Sequence, residues 1–266
     1  MRNILICGDS NAISLRNFEM NNFDGIEKNK YYEDISNVSK PGEINYLEFV
    51  NNVDGIKLNI IVFNGATAKG LNKKNSTINQ SKIIKDKIQE LGEVQIIYAF
   101  GLVDVDFVYW YKISEGYIDF DKYVENAVEK YIEGIKQIQI GYVFDITPPT
   151  VEDEHMMDFV KVHFEKLYNK IKTNNIEKAI KTLPYLSYKV RWIFHEKFNS
   201  FLDFVCEREN IKVIKHWDKF KENGNNKVKD MCKNKELKTD HHIEIDELGR
   251  IWGETIKDII LKVNIW

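Results

Sequence analysis

Five short apolar runs, spread along the whole chain, constrain the fold of this sequence more than any other feature. They are rich in β-branched and aromatic side chains and show little alternation of apolar and polar residues. Runs of this kind are typical of parallel strands that are covered on both faces. The predicted strands are Ile4–Cys7, Leu58–Phe63, Val94–Phe100, Ile140–Ile146 and Ile211–His216.

Segments with helical periodicity lie between these strands. The clearest are Ser81–Leu91, Asp121–Gln137 and Glu196–Glu209. Alternating strands and helices indicate parallel βαβ units with right-handed crossovers. We therefore expect one α/β domain over residues 1–266, doubly wound around a mostly parallel five-stranded sheet, with helices on both faces in a flavodoxin-like three-layer arrangement.

The stretch from about 150 to 195 is less regular. It contains one amphipathic helical pattern, Glu154–Thr173, and an interruption at Pro184. It forms either a helical insertion or lid near a site, or an extra packing layer. A final helix is predicted at Asp246–Val263.

Charge and cysteine content exclude several classes of protein. The net charge of -3, from 38 basic and 41 acidic residues, gives no broad positive field for nucleic acid. The three widely spaced cysteines, Cys7, Cys206 and Cys232, suggest neither a disulfide framework nor a metal knuckle. No uninterrupted run of 18 apolar residues occurs, so we expect no membrane insertion and a cytoplasmic protein.

Small and polar residues follow four of the predicted strands. In open α/β sheets, ligands bind beyond the carboxyl ends of the strands, so these residues are expected to converge on one site. They are Gly8-Asp9-Ser10, Asn64-Gly65-Ala66-Thr67, Gly101-Leu102-Val103-Asp104 and Thr147-Pro148-Pro149.

Gly8-Asp9-Ser10 has three possible interpretations. It is a turn in which Asp9 or Ser10 caps a helix, a dinucleotide-binding turn, or the position of a serine nucleophile. The second and third glycines of a dinucleotide fingerprint are missing, and no Walker-type loop occurs. We therefore expect no nucleotide cofactor. A nucleophilic Ser10 would need a base and N–H donors for the oxyanion.

Two adjacent histidines near the C-terminus are candidates for that base. His241 and His242 follow Asp240, and a carboxylate beside an imidazole can orient its tautomer and stabilise the imidazolium. A metal pair or a surface turn would also fit this pattern, although no further metal ligand has suggestive spacing. Structural roles are expected for the other four histidines.

These motifs, in this order, resemble those of the SGNH, or GDSL-type, hydrolase superfamily. Gly8-Asp9-Ser10 is similar to the first block, Phe63–Leu71 to the second, Phe100–Asp104 to the third and Asp240–Ile243 to the last. The resemblance implies Ser10 as nucleophile, His242 as base and Asp240 as its acid. It also implies Gly65 as an oxyanion donor. Further similarities are Ile146–Pro149 and Phe198–Leu202.

The oxyanion and substrate-binding surface implied by the resemblance comprises Gly65, Asp104, Asp9 and His241. The sequence departs from the family pattern at Val103, where the family carries an asparagine donor.

The last block also departs from the family pattern. Asp240 stands two positions before His242 instead of three. His241 as base, or Glu244 or Asp246 as acid, are therefore alternatives. The third block, Gly101–Asp104, has the form Gly-x-x-Asp and in this resembles some members linked to surface-polysaccharide loci.

The resemblance predicts a serine esterase that acts through an acyl-enzyme on a small, acetyl-like ester of a carbohydrate, without metal or cofactor. The partner is a small-molecule or glycan ester. An O-acyltransferase with the same site is one alternative, and an SGNH-like binding protein that has lost its chemistry is another. Aromatic residues at Tyr109, Trp110 and Tyr111 either contact sugar or pack in the core.

Overall fold

The fold is described here from a computed structural model. It describes residues 2–17, 27–29, 44–51, 56–73, 79–114, 116, 119–161, 187–222, 226–233, 238–239 and 241–262. Seven strands in these residues form one sheet in the order β2-β3-β4-β1-β5-β6-β7. The strands are β1 Arg2–Gly8, β2 Glu27–Asn29, β3 Ile44–Asn51, β4 Ile56–Phe63, β5 Val94–Ala99, β6 Tyr142–Phe144 and β7 Lys212–Ile214.

The five predicted strands form the parallel part of the sheet, which confirms the expected α/β class. β1 lies in the centre and pairs in parallel with β4 and β5, and β6 and β7 extend the sheet beyond β5. β2 and β3 were not predicted and add an antiparallel edge next to β4. The prediction relied on continuous apolar runs, and Asn45 and Glu48 interrupt the run in β3.

The helices confirm the predicted periodicity. They are α1 Gln80–Leu91, α2 Tyr109–Ser114, α3 Phe120–Ile138, α4 Tyr188–Arg208, α5 Trp217–Phe220 and α6 Ile245–Lys262. α4 begins well before the predicted Glu196, so the end of the irregular stretch belongs to a long helix. Of the predicted helix Glu154–Thr173, residues 156–161 are helical and residues 162–173 lie outside the described part. None of the described helices is long and apolar enough to cross a membrane.

The hydrophobic core has two halves, one on each face of the sheet. In β1, Leu5 and Cys7 belong to one half, whereas Ile4 and Ile6 belong to the other. α1 and α3 cover the first half, and α6 covers the second. Both faces of the central strands are therefore shielded from water, which is why their sequences are apolar at successive positions.

A side chain of α4, that of Asn199, joins this helix to the backbone just after β6 by two hydrogen bonds. Asn199 accepts a hydrogen bond from the Ile146 N–H at 2.8 Å and donates one to the Ile146 carbonyl at 3.0 Å. The neighbouring Phe198 ring lies against Gly101, where a Cβ would come within 2.8 Å of it. The Phe198-Asn199 pair thus holds the turn after β5 and the end of β6 together.

Gly101 is expected to be intolerant of substitution. Its φ of +133° is rarely adopted by other residues, and an added Cβ would also overlap Ile146. Gly101→Ala should lower the free energy of unfolding by roughly 2–4 kcal/mol, through strain and overpacking. Gly92→Ala is the matched control because Gly92 has a φ of +72° with no atom within 4 Å. Equal losses of the two variants in urea denaturation would contradict this prediction.

Candidate active site

The turns after the three central strands meet at one edge of the sheet. Gly8, the last residue of β1, is level with Val62 in β4 and with Ala99 in β5. In the segments that follow these strands, Ser10 begins a 3₁₀ helix, Gly65 lies in a turn, and Asp104 begins a short π-helix, Asp104–Val108. The expectation that these residues share one edge therefore follows from the observed register.

Ser10 lies in contact with His242. Its Oγ is 2.7 Å from His242 Nε2, although the two residues are 232 positions apart. Ser10 begins a 3₁₀ helix directly after β1, and His242 lies in the segment that leads into α6. Both residues are half-buried, so the pair is partly accessible to solvent. A hydroxyl donating to an imidazole nitrogen at this distance can lose its proton to that nitrogen.

His241 occupies a different environment from His242. It is only 6% exposed, and its ring lies edge-on to Phe107 with centroids 4.6 Å apart. The centroids of the His241 and His242 rings lie 3.9 Å apart. The structure therefore brings His242 to Ser10 and packs His241 behind it among aromatic rings.

The acidic candidates near His242 differ in their placement. Asp240 lies outside the described residues. Glu244 accepts hydrogen bonds from the N–H groups of Asp246 and Glu247 at 2.9 and 3.3 Å, so its carboxylate caps the start of α6. Asp246 is exposed.

Asp9 is buried beside this pair. Burial raises the pKa of Asp9 to about 6, against the lowering effects of the Asn11 N–H and of the positive charge of His242. Its Oδ1 accepts a hydrogen bond from the Asn11 N–H at 3.1 Å. A carboxylate at this position favours a positive charge on His242.

Gly65 stands at the exposed tip of the turn after β4. Its φ is +72°, and the Ala66 N–H donates to the Phe63 carbonyl at 3.1 Å across the turn. Glycine adopts this conformation without steric cost. Within the described ranges, neither the Gly65 N–H nor the Ser10 N–H donates a hydrogen bond.

Val103 is buried in the core at 7% exposure, and its side chain carries no hydrogen-bond donor for an oxyanion. Tyr109 and Trp110 are also buried, at 2% and 3% exposure, so they provide no open surface for a sugar. The structure thus favours the packing interpretation of these two aromatic residues.

Asp104 is buried below the Gly65 turn. Its Oδ2 accepts a hydrogen bond from the Ala68 N–H at 2.6 Å, and the residue is only 1% exposed. Burial raises the pKa of Asp104 to about 7, and the Ala68 N–H lowers it in part. The structure therefore buries both Asp9 and Asp104 beneath the edge that carries Ser10 and Gly65.

A buried aspartate–histidine pair, Asp106 and His195, supports the same edge and was not predicted. His195 is fully buried, with Nδ1 2.8 Å from the Thr147 carbonyl oxygen and Nε2 2.9 Å from Asp106 Oδ1. Because a carbonyl only accepts, Nδ1 carries a proton. The pair joins the turn after β5 to the turn after β6 through α4. Its members are 89 residues apart, so no local spacing could have revealed it.

Asp145 makes the corresponding link between β6 and β7. Its carboxylate accepts hydrogen bonds from the N–H groups of His216 and Trp217, at 3.0 and 3.2 Å. Asp145 also lines a cavity of about 10 Å³ together with Asp9 and Asn11, which is just enough space to hold one water molecule. No cluster of three or more metal-ligating side chains occurs among the residues that the structure describes.

Comparisons with known proteins give a result for the fold. No protein-family model and no curated protein match the sequence. Among solved structures, a GDSL-like lipase from Bacteroides thetaiotaomicron is similar, with a TM-score of 0.50, 11% identity, and coverage of 98% of this chain and 89% of that one. A presumed acylhydrolase from Bacteroides fragilis is also similar, with a TM-score of 0.48 and 9% identity. That match covers 98% of this chain and 88% of the other.

The match to the GDSL-like lipase spans most of both chains, so the likeness is not confined to one part of the fold. At this identity the likeness is one of fold, since unrelated functions can share a fold. The chain thus has the fold of the SGNH, or GDSL-like, hydrolases whose motifs its sequence resembles.

Proposed function

We propose that this protein is a serine esterase that works through an acyl-enzyme. The observation that carries the proposal is the 2.7 Å contact between Ser10 Oγ and His242 Nε2 at the carboxyl edge of the sheet. In this mechanism His242 takes the hydroxyl proton as Ser10 attacks the ester carbonyl. His242 then returns the proton to the leaving alcohol, and water releases the acyl group in a second cycle.

The oxyanion of this reaction is stabilised by two backbone donors, the N–H groups of Ser10 and Gly65. Backbone donors are held by the fold and need no reorganisation during the reaction. With Val103 buried, the third turn contributes no side-chain donor. Loss of one such donor costs roughly 3–4 kcal/mol in enzymes that use it, so we expect a slow esterase on simple substrates.

The acyl group in this proposal is small and acetyl-like. This part of the proposal rests on the resemblance of the motifs, since the small cavity beside Asp9 and Asn11 is not lined by Ser10 or His242. The carbohydrate part of the substrate is inferred from the Gly101–Asp104 block, which resembles that of members linked to surface polysaccharides. Asp240 is proposed as the acid that orients His242, with the charge of Asp9 assisting.

Acyl chain length provides the test. We expect kcat/KM to fall at least about 10-fold from p-nitrophenyl acetate to p-nitrophenyl octanoate, because a site that fits an acetyl group cannot bury the longer chain. An acetylated oligosaccharide should be a better substrate than either. Equal or faster turnover of the octanoate would contradict the small acyl group.

The buried Val103 favours one other function, a binding protein that has lost its chemistry. Absence of turnover for every ester, together with retained binding of an acetylated glycan in calorimetry, would favour that function over the esterase.

A further inference from the structure

The turn after β5 holds the other two turns of the site through buried carboxyl groups. Asp104, at the end of this turn, binds the Ala68 N–H of the β4 turn at 2.6 Å. Asp9, in the β1 turn, donates its own N–H to the Ala99 carbonyl of β5 at 3.1 Å. The Leu102 N–H, in the β5 turn, lowers the pKa of Asp9. The three turns are therefore linked in one chain of contacts.

The Gly65 turn is fixed at both of its ends. Phe63 ends β4 and is fully buried, and Ala68 is fully buried where Asp104 holds its N–H. Gly65 lies between these two anchors, and its N–H is the proposed oxyanion donor. Without the Asp104 acceptor, the anchor at Ala68 would lose its partner, and the N–H of a buried residue would be unsatisfied.

Asp104 is itself held firmly. Its backbone carbonyl accepts a hydrogen bond from the Tyr123 hydroxyl of α3 at 3.0 Å. The Val105 N–H donates to the Gly101 carbonyl at 3.3 Å. A side chain on so constrained a backbone can fix the position of a neighbouring loop.

From these contacts we propose that Asp104 is a positioning residue that sets the place of the Gly65 N–H in the oxyanion hole. The inference rests on the proposed esterase function. It assigns to the third turn a contribution other than the side-chain donor that Val103 cannot supply. Asp104 acts through the Ala68 N–H and does not touch the substrate.

The acceptor oxygen of Asp104, and not its negative charge, is the group that matters in this proposal. Oδ2 accepts from Ala68, whereas Oδ1 is buried and has no partner among the described residues. Burial raises the pKa of Asp104 to about 7 and the charge of Asp9 adds to this effect, whereas the N–H groups of Ala68 and Lys69 and the charge of Lys69 lower it. An asparagine keeps the acceptor and the shape without the charge.

Two variants separate the acceptor from the charge. For Asp104→Asn, the rate of labelling by a fluorophosphonate and the kcat for p-nitrophenyl acetate should stay within about 3-fold of those of the unmodified protein. Asp104→Ala should lower the labelling rate and kcat roughly 10–100-fold, with KM within about 3-fold, since the oxyanion forms only in the transition state. Asp121→Ala, which removes an exposed carboxylate on α3, is the control.

Hydrogen–deuterium exchange of the peptide that spans the Gly65 turn tests the contact without any activity. Exchange should be faster in Asp104→Ala and unchanged in Asp104→Asn. The proposal would be overturned by unchanged exchange in a folded Asp104→Ala. It would also be overturned if Asp104→Asn lost as much labelling rate and kcat as Asp104→Ala. If the unmodified protein neither labels nor turns over esters, the esterase proposal fails, and the exchange result still decides whether Asp104 holds the turn.

Discussion

Ser10→Ala is expected to abolish both labelling by a fluorophosphonate probe and turnover of p-nitrophenyl acetate. The hydroxyl is the group that forms the acyl-enzyme, and nothing at an alanine can replace it. Loss of a catalytic serine reduces kcat by about 10³-fold or more in enzymes of this mechanism, leaving only the background from the oxyanion donors. Mass spectrometry of the labelled protein should place the adduct on the peptide that contains Ser10.

Ser14→Ala is the matched control for this variant. Ser14 lies in the same 3₁₀ helix and is 1% exposed, and its hydroxyl has no hydrogen-bond partner within the described residues. Its removal should therefore leave labelling and turnover within about 2-fold of the unmodified protein. Labelling that persists in Ser10→Ala, or disappears equally in Ser14→Ala, would show that Ser10 is not the nucleophile.

His242→Ala should reduce ester turnover by about 10³-fold or more, because no base then takes the Ser10 proton. His241→Ala should keep activity within about 10-fold, since the structure packs His241 against Phe107 and not against the Ser10 hydroxyl. It should instead lower the free energy of unfolding by about 1–3 kcal/mol through lost packing. Initial rates and thermal denaturation measured on both variants separate the two roles.

Added imidazole offers a second check on His242. If the missing group is a base, free imidazole should restore part of the turnover of His242→Ala while having no such effect on Ser10→Ala. The assignment would be wrong if His241→Ala abolished turnover while a folded His242→Ala retained it. In that case the 2.7 Å contact to Ser10 would be structural.

The sequence was most informative where physical demands are local. A strand covered on both faces must be apolar at successive positions, so the five parallel strands could be read from runs such as Leu58–Phe63. β3 was missed because its run is interrupted by Asn45 and Glu48 and lies in the antiparallel edge. α4 was predicted too short, because two of the positions that its first turns bury, Arg191 and His195, carry polar side chains and interrupt the apolar pattern.

The candidate site shows the same division. Ser10, Gly65 and Asp104 could be placed at one edge because each follows a strand, and parallel strands end on the same side. The expected base remained a choice between His241 and His242, since adjacent residues have the same sequence context. Asp106 and His195 were not paired in advance, because nothing in a separation of 89 residues encodes contact.

By itself, the sequence determined the strand–helix alternation, the order of the motifs and the edge at which they converge. These features depend on hydrophobic periodicity and on the fixed direction of parallel strands. Only the tertiary structure decided that Nε2 of His242 reaches Ser10 and that His241 faces aromatic rings. It also decided that Asp9 and Asp104 lie beneath the site. The physical reason is that hydrogen bonding and burial depend on distances of a few ångströms between segments that are far apart in the chain.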